Sequence, residues 1–130
     1  MSMNAPIPAL PGVAPVPSLD HERLEVYQRA LEFHTLVLTL LPPRGFRTLR
    51  DQLERASLGV VLCIAEGAGR TSRPDKRRFY EMARGSMTES AVVLDVLRVR
   101  WLLEPGSHRK ARDLAVRLVQ MLSCLCAPPR

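Results

Sequence analysis

The sequence has 130 residues, the length of one ordinary domain, so a second independent core is not expected. Hydrophobic residues account for 46% of the chain and charged residues for 25%, a balance that supports a core and excludes disorder throughout. Nineteen Lys and Arg against 13 Asp and Glu give a net charge of +6, which makes a polyanionic partner a reasonable expectation.

The N-terminal 18 residues differ in composition from the rest of the chain. They are rich in Pro and Ala and carry no charge, so they are predicted to form a flexible or polyproline-like tail ahead of one domain at residues 19–127. The first basic residue is Arg23, which argues against a secretory signal, and the apolar stretches are far shorter than the roughly 18 residues of a membrane span. Those short stretches predict no membrane association. Three cysteines cannot all form disulfides with one another, so a reduced, cytoplasmic chain is predicted.

Beyond the tail, apolar residues recur at three- and four-residue spacing, and Pro and Gly interrupt this pattern at residues 42–45, 67–74 and 105–107. The three breaks predict helices over residues 20–41, 46–67, 74–104 and 107–125. Ser72 is predicted to cap the third helix, with Pro74 in its first turn. No segment alternates with a period of two, so the predicted fold is all-α, an antiparallel up-and-down four-helix bundle.

Each predicted helix has an apolar stripe that is expected to face the core. The stripes, in chain order, are Leu24, Tyr27, Leu31, His34, Leu38 and Leu41; then Phe46, Leu49, Leu53, Ala56, Val60, Cys63 and Gly67; then Tyr80, Ala83, Met87, Ala91, Leu94, Leu97 and Trp101; and finally Ala111, Leu114, Leu118, Met121, Leu122 and Leu125. The second half of helix 2 is apolar nearly all round, which predicts burial on several sides.

No arrangement typical of an enzyme is found in the sequence. A dimetal site in a bundle needs inward Glu-x-x-His pairs, and none is present. Cys63 is expected to pack as a small hydrophobe, and the glycines of residues 67–69 lack the spacing of a phosphate-binding loop, so they are expected to end helix 2. The sequence therefore predicts no catalytic residue, no metal site and no cofactor.

Glu66 and Arg84 lie among small residues near the junction of helices 2 and 3. Small neighbours let two backbones approach closely, so we expect these two side chains to form a buried or half-buried ion pair that fixes the hairpin. The alternative is that both are solvated.

The basic residues are concentrated in two clusters, one around the start of helix 3 and one at the start of helix 4. The candidate nucleic-acid-binding residues are Arg70, Arg73, Lys76, Arg77 and Arg78 in the first cluster, and Arg109, Lys110 and Arg112 in the second. Arg70 and Arg73 have a structural explanation, because cations are favoured after the C-terminus of a helix. The charges at residues 76–78 oppose the dipole of helix 3, so another reason for them is needed.

We interpret the clusters as surfaces for phosphates, the alternative being a solvated surface in a chain that uses Arg for 17 of its 19 basic residues. The six aromatic residues occupy mostly core-compatible positions, which predicts no stacking platform for bases. In an up-and-down bundle helices 3 and 4 start at opposite ends, so the two clusters are expected to be separate on one chain.

Two motifs, with their order and spacing, carry a resemblance to a known family. Residues 62–70 read LCIAEGAGR and residues 79–89 read FYEMARGSMTE, with further likeness in LEVYQRA at residues 24–30 and QLERA at residues 52–56. The chain resembles the small bacterial four-helix-bundle proteins encoded in intervening sequences of 23S ribosomal RNA genes. It departs from that pattern at Val61 and Cys63, where the family usually has Pro and Asn, whereas Glu66, Gly67, Arg84 and Glu89 carry over.

The resemblance implies a pentameric, non-catalytic bundle that is similar in fold to the accessory variability protein of diversity-generating retroelements, which binds nucleic acid alongside a reverse transcriptase. We therefore expect a homo-oligomer that binds nucleic acid, with structured RNA the favoured target. The alternative is a protein-interaction scaffold, or an accessory subunit of a reverse transcriptase that does not itself touch nucleic acid.

Overall fold

Four α-helices form the structure, a computed structural model that describes residues 18–128. The helices are α1 at Glu25–Leu40, α2 at Arg47–Gly69, α3 at Arg73–Val99 and α4 at Pro105–Cys126, with short 3₁₀ turns at Asp20–Arg23 and Arg44–Phe46. Within these described residues there is no strand, so the all-α prediction is confirmed. The tail predicted for residues 1–18 lies, except for Ser18, outside the described part of the chain.

Each helix packs antiparallel to the next, as the short connections require. Side-chain contacts join the neighbouring helices: His34 Nδ1 to Ser57 Oγ at 2.8 Å, Gln52 to Glu89, Arg84 Nη1 to Ser123 Oγ at 3.4 Å, and Arg117 Nη2 to Glu25 Oε1 at 3.8 Å, which closes α4 onto α1. In the α2–α3 and α3–α4 pairs, a residue in the first half of one helix meets a residue in the second half of the next, and in the α1–α2 pair the two residues lie near mid-helix. The up-and-down bundle predicted from the sequence is therefore the observed fold.

The core consists of side chains from all four helices. Its most fully buried large members are Phe33, Leu53, Ile64, Met87, Leu94, Leu97, Leu118 and Leu122. The predicted stripes of α2, α3 and α4 supply most of this core. In α1 the prediction was wrong by about one residue: Val26, Ala30, Phe33 and Val37 face inward, and Leu38 is 46% exposed. The two faces of α1 are similarly apolar, so periodicity could not choose between them.

Helix α3 ends at Val99, five residues before the predicted end. The backbone N–H of Leu102 donates to the Leu97 carbonyl at 2.8 Å and that of Trp101 donates to the Arg98 carbonyl at 3.1 Å. These two bonds define a Schellman motif, in which the residue at C′ adopts a left-handed backbone. Trp101 occupies that position with φ 61°, so its predicted place in the core stripe was wrong.

Gly67 does not end α2, which continues to Gly69. Gly67 is buried, and a Cβ at this position would lie 2.7 Å from Tyr80 Cε1 and 3.2 Å from Phe79 Cβ. The missing side chain therefore lets the Tyr80 ring pack against the α2 backbone. This close approach sets the spacing of α2 and α3 at the end of the bundle that carries the first basic cluster.

Candidate nucleic-acid interface

Lys76 has a structural role that the sequence did not predict. Its Nζ donates to the carbonyls of Ala68 at 2.9 Å and Gly67 at 3.3 Å, the last turn of α2. A helix C-terminus leaves carbonyls unpaired and carries a partial negative charge, so a cation there is favourable. The end of α2 lies beside the start of α3. The positive charge of Lys76 is unfavourable at the N-terminus of α3, but it stabilises the C-terminus of α2. Lys76 therefore has a structural role, contrary to the expectation that its charge needs another reason.

The arginines of this first cluster are partly engaged with neighbouring side chains. The guanidinium carbons of Arg70 and Arg78 lie 4.7 and 4.6 Å from the centre of the Phe79 ring, within cation–π range. Arg77 Nε lies 3.0 Å from Glu81 Oε1, the i,i+4 pair that helical spacing predicts. Ser72 accepts a bond from the Asp75 backbone N–H at 3.2 Å, which confirms it as the N-cap of α3.

The predicted ion pair between Glu66 and Arg84 is not formed. Glu66 Oε2 lies 3.0 Å from Arg70 Nη2, four residues further along the chain and just past the end of α2. Arg84 instead contacts Ser123 of α4. The small residues around both positions were a correct sign of close packing, but helix rotation turns Arg84 toward α4 rather than toward α2.

The second cluster is less engaged. Arg109, Lys110 and Arg112 are exposed, and in the chain from Ser18 to Pro128 none of them makes an ion pair or a side-chain hydrogen bond. Because α4 begins at Pro105, these residues lie in its second and third turns rather than its first. The positive end of the α4 dipole therefore destabilises these cations little, since its effect falls off within one turn.

Two basic residues that the sequence analysis did not single out extend this cluster. Arg98 and Arg100 lie at the C-terminus of α3, next to the start of α4, and both are exposed. The predicted helix 3 ran to residue 104, which hid the fact that these residues lie at a helix end. The α1–α2 connection lies at the same end of the bundle and adds Arg44. We call Arg98, Arg100, Arg109, Lys110 and Arg112 the α3–α4 basic end.

Trp101 is exposed beside the α3–α4 basic end. Its side chain is 92% exposed, and the neighbouring Val99 is 79% exposed. The aromatic residues were expected at mostly core-compatible positions, with Trp101 on the core stripe of helix 3, and Trp101 does not face the core. Glycine, which usually occupies the C′ position of a Schellman motif, would have been a sequence signal for the helix end, and its absence explains the error.

The cysteines and histidines inside the bundle are either packed in the core or hydrogen-bonded to a neighbouring side chain. Burial raises the pKa of the Cys63 and Cys126 thiols, so both stay protonated near neutral pH and act as small hydrophobes. His108 Nε2 lies 2.7 Å from Asp95 Oδ1, and His34 contacts Ser57. The residues that the structure describes contain no group of three His, Cys, Asp or Glu side chains that could hold a metal ion.

Residues 18–128 include no helix that is both long enough and apolar enough to cross a membrane.

The fold and its surface define the class: an all-α four-helix bundle with basic residues concentrated at both ends. The chain belongs to the family of 23S rRNA-intervening sequence proteins, whose family model matches residues 22–124. This match confirms the resemblance drawn from the two motifs. No curated protein matches the chain.

Proposed function

We propose that this protein is a non-catalytic, homo-oligomeric bundle that binds nucleic acid, with structured RNA as the favoured target. The observation that carries this proposal is the α3–α4 basic end. Five cations with no acidic partner among residues 18–128 create a local excess of positive charge. Phosphates neutralise such a surface, and the release of their counterions favours binding.

The first basic cluster is proposed to make a smaller contribution. Arg73 makes no ion pair in the described chain, whereas Arg70 and Arg77 are paired and Lys76 stabilises the end of α2. A cation that is already paired with a carboxylate interacts less strongly with a phosphate. We therefore assign binding mainly to the second cluster and count Arg73 and Arg78 as secondary contacts.

Two exposed leucines support the proposal of a homo-oligomer. Leu58 and Leu62 lie one turn apart on α2 and are 42% and 55% exposed, although this segment was predicted to be buried on several sides. An apolar stripe of this kind is favourable when another molecule covers it. A pentamer, the stoichiometry that the family resemblance implies, would repeat each basic end around one axis and multiply the contacts to one polyanion.

Titration of a labelled hairpin RNA at two salt concentrations tests RNA binding. Wild-type affinity is expected to fall by one order of magnitude or more between about 50 and 200 mM salt, in proportion to the phosphates contacted. The double variant Arg109→Ala, Arg112→Ala is expected to bind roughly tenfold more weakly.

The matched control is Arg55→Ala, Arg117→Ala, which removes the same charge from two arginines that contact Glu89 and Glu25. This control is expected to bind within about twofold of wild type. Absence of binding at low salt, affinity that does not change with salt, or equal losses in the two double variants would contradict the proposal.

A protein-interaction scaffold, including an accessory subunit of a reverse transcriptase, is the second candidate. The exposed Leu58 and Leu62 favour it, because they fit a protein partner as well as a second copy. A pull-down that survives nuclease treatment and the double change Arg109→Ala, Arg112→Ala would support the scaffold. Loss of the partner on nuclease treatment would support nucleic-acid binding.

A further inference from the structure

The placement of Trp101 is unfavourable to folding in two ways. A tryptophan that is 92% exposed contributes almost none of the apolar burial that its size allows. Its φ of 61° lies in the left-handed region, where a Cβ is strained and glycine is the usual residue. Strained residues of this kind are concentrated at functional sites, so the position itself suggests a binding role.

The backbone around Trp101 is held firmly. The two Schellman bonds tie it to the Arg98 and Leu97 carbonyls, and Leu97 is fully buried. Leu102, which follows, packs against the core. The indole is therefore presented outward from a fixed backbone. Among residues 18–128, no guanidinium lies over the indole ring and no aromatic ring packs against it.

The surroundings of Trp101 are cationic. Arg98 and Arg100 precede it at the end of α3, and Arg109, Lys110 and Arg112 follow in the first turns of α4. Between these two groups of cations the exposed Glu104 is the one acidic residue. An exposed aromatic face combined with a basic surface is the combination that binds unpaired nucleotides, because the ring stacks on a base while cations contact the phosphates. An apolar protein partner would fit this charge less well.

We propose that Trp101 is a stacking platform for an unpaired base, with the α3–α4 basic end holding the adjoining phosphates. This inference rests on the proposed nucleic-acid binding and narrows its target to single-stranded segments, such as the loops of a structured RNA. It also gives the exposed, strained tryptophan a physical reason.

Trp101 is the only tryptophan in the chain, so its fluorescence reports on this site directly. The probes are a ten-nucleotide oligouridine and a fully paired RNA duplex of similar length. Oligouridine is expected to quench Trp101 fluorescence in a saturable way, whereas the duplex is expected to bind with little quenching.

The variant Trp101→Gly removes the ring and relieves the left-handed strain, so its Tm is expected to equal or exceed that of wild type. Its affinity for oligouridine, measured with a labelled strand, is expected to fall roughly 5- to 150-fold. Duplex affinity is expected to stay within about twofold. Trp101→Phe, which keeps an aromatic face, is expected to restore most of the oligouridine affinity.

The possible failures are distinguishable. If wild type binds both probes and Trp101→Gly binds oligouridine equally well, the stacking proposal is overturned while nucleic-acid binding stands. If wild type binds neither probe at low salt, both proposals are overturned. If Trp101→Gly lowers the oligomer mass without nucleic acid present, the indole is covered by another copy and the stacking proposal is overturned.

Discussion

Gly67 shows how one residue controls the packing of two helices. It lies in α2 where the Tyr80 ring of α3 contacts the backbone, and a methyl group there would lie 2.7 Å from Tyr80 Cε1. Tyr80 is buried among aliphatic side chains and belongs to the core cluster, so its ring has little freedom to move away. A substitution at Gly67 must therefore shift the backbone of α2 or α3.

Gly67→Ala is expected to lower the free energy of unfolding by about 1–2 kcal/mol, because the cost of overpacking exceeds the gain in helix propensity. Gly85→Ala is the matched control, since Gly85 lies within α3 with no atom within 4 Å of a Cβ. It is expected to raise stability by about 0.5–1 kcal/mol. Urea denaturation at a fixed protein concentration measures both, and equal effects of the two variants would contradict the packing role of Gly67.

Trp101 and Gly67 also show the limit of reading single residues from a sequence. Helix 2 was expected to end at Gly67, and Trp101 was expected to continue a core stripe. Both expectations followed correct local tendencies of Gly and Trp. The glycines do end α2, but at Gly69, because Gly67 lies within the helix where the Tyr80 ring packs against its backbone. Trp101 leaves the stripe because the chain must leave α3 at Val99 to reach α4.

At the level of the elements, the α2–α3 hairpin places one helix end beside the start of the next. A cation near the start of α3 is unfavourable when α3 is considered alone. In the hairpin, a cation at this position can reach the carbonyls of the last turn of α2. The Lys76 ammonium donates to two of them. The electrostatic effect of a residue thus depends on the pair of helices rather than on the helix that contains it.

The two lysines of the chain provide a matched test of this role. Lys76→Met is expected to lower the free energy of unfolding by about 1 kcal/mol, because it leaves two carbonyls of α2 without their charged donor. Lys110→Met is expected to change stability by less than about 0.5 kcal/mol, since Lys110 is exposed.

RNA affinity is expected to respond in the opposite order to the two lysine variants, with Lys110→Met weakening it more than Lys76→Met. Thermal or urea unfolding and the RNA titration together measure this reversal. If Lys110→Met were the more destabilising variant, the structural role of Lys76 would be wrong.

For the whole molecule, the topology decides which charges lie together. Connections that alternate between the two ends bring Arg44, Arg98 and Arg109 to one end, although they are far apart in the sequence. The apolar side chains Leu58 and Leu62 remain exposed between the ends. The proposed oligomer would cover these leucines and leave the basic ends accessible.

Leu62→Glu is expected to reduce the oligomer to a monomer of 14.6 kDa while the helical content stays unchanged. A charge at a covered apolar contact is strongly unfavourable, whereas at an exposed position it has little effect. Gln120→Glu introduces the same side chain at an exposed polar position of α4 and is expected to leave the mass unchanged. Light scattering after size-exclusion chromatography measures the masses, and an unchanged mass in Leu62→Glu would contradict the assignment of this face to the oligomer.

The sequence by itself determined the four helices, their antiparallel order, the N-cap at Ser72 and most of the core in α2, α3 and α4. Hydrophobic spacing and Pro or Gly breaks are local properties, so they can be read without knowing what packs against each helix. Only the tertiary structure decided that Glu66 pairs with Arg70, that Lys76 stabilises the end of α2, and that Trp101 faces away from the core. These outcomes depend on how each helix is rotated about its axis and on where it ends beside its neighbours. Both are determined by the three-dimensional packing.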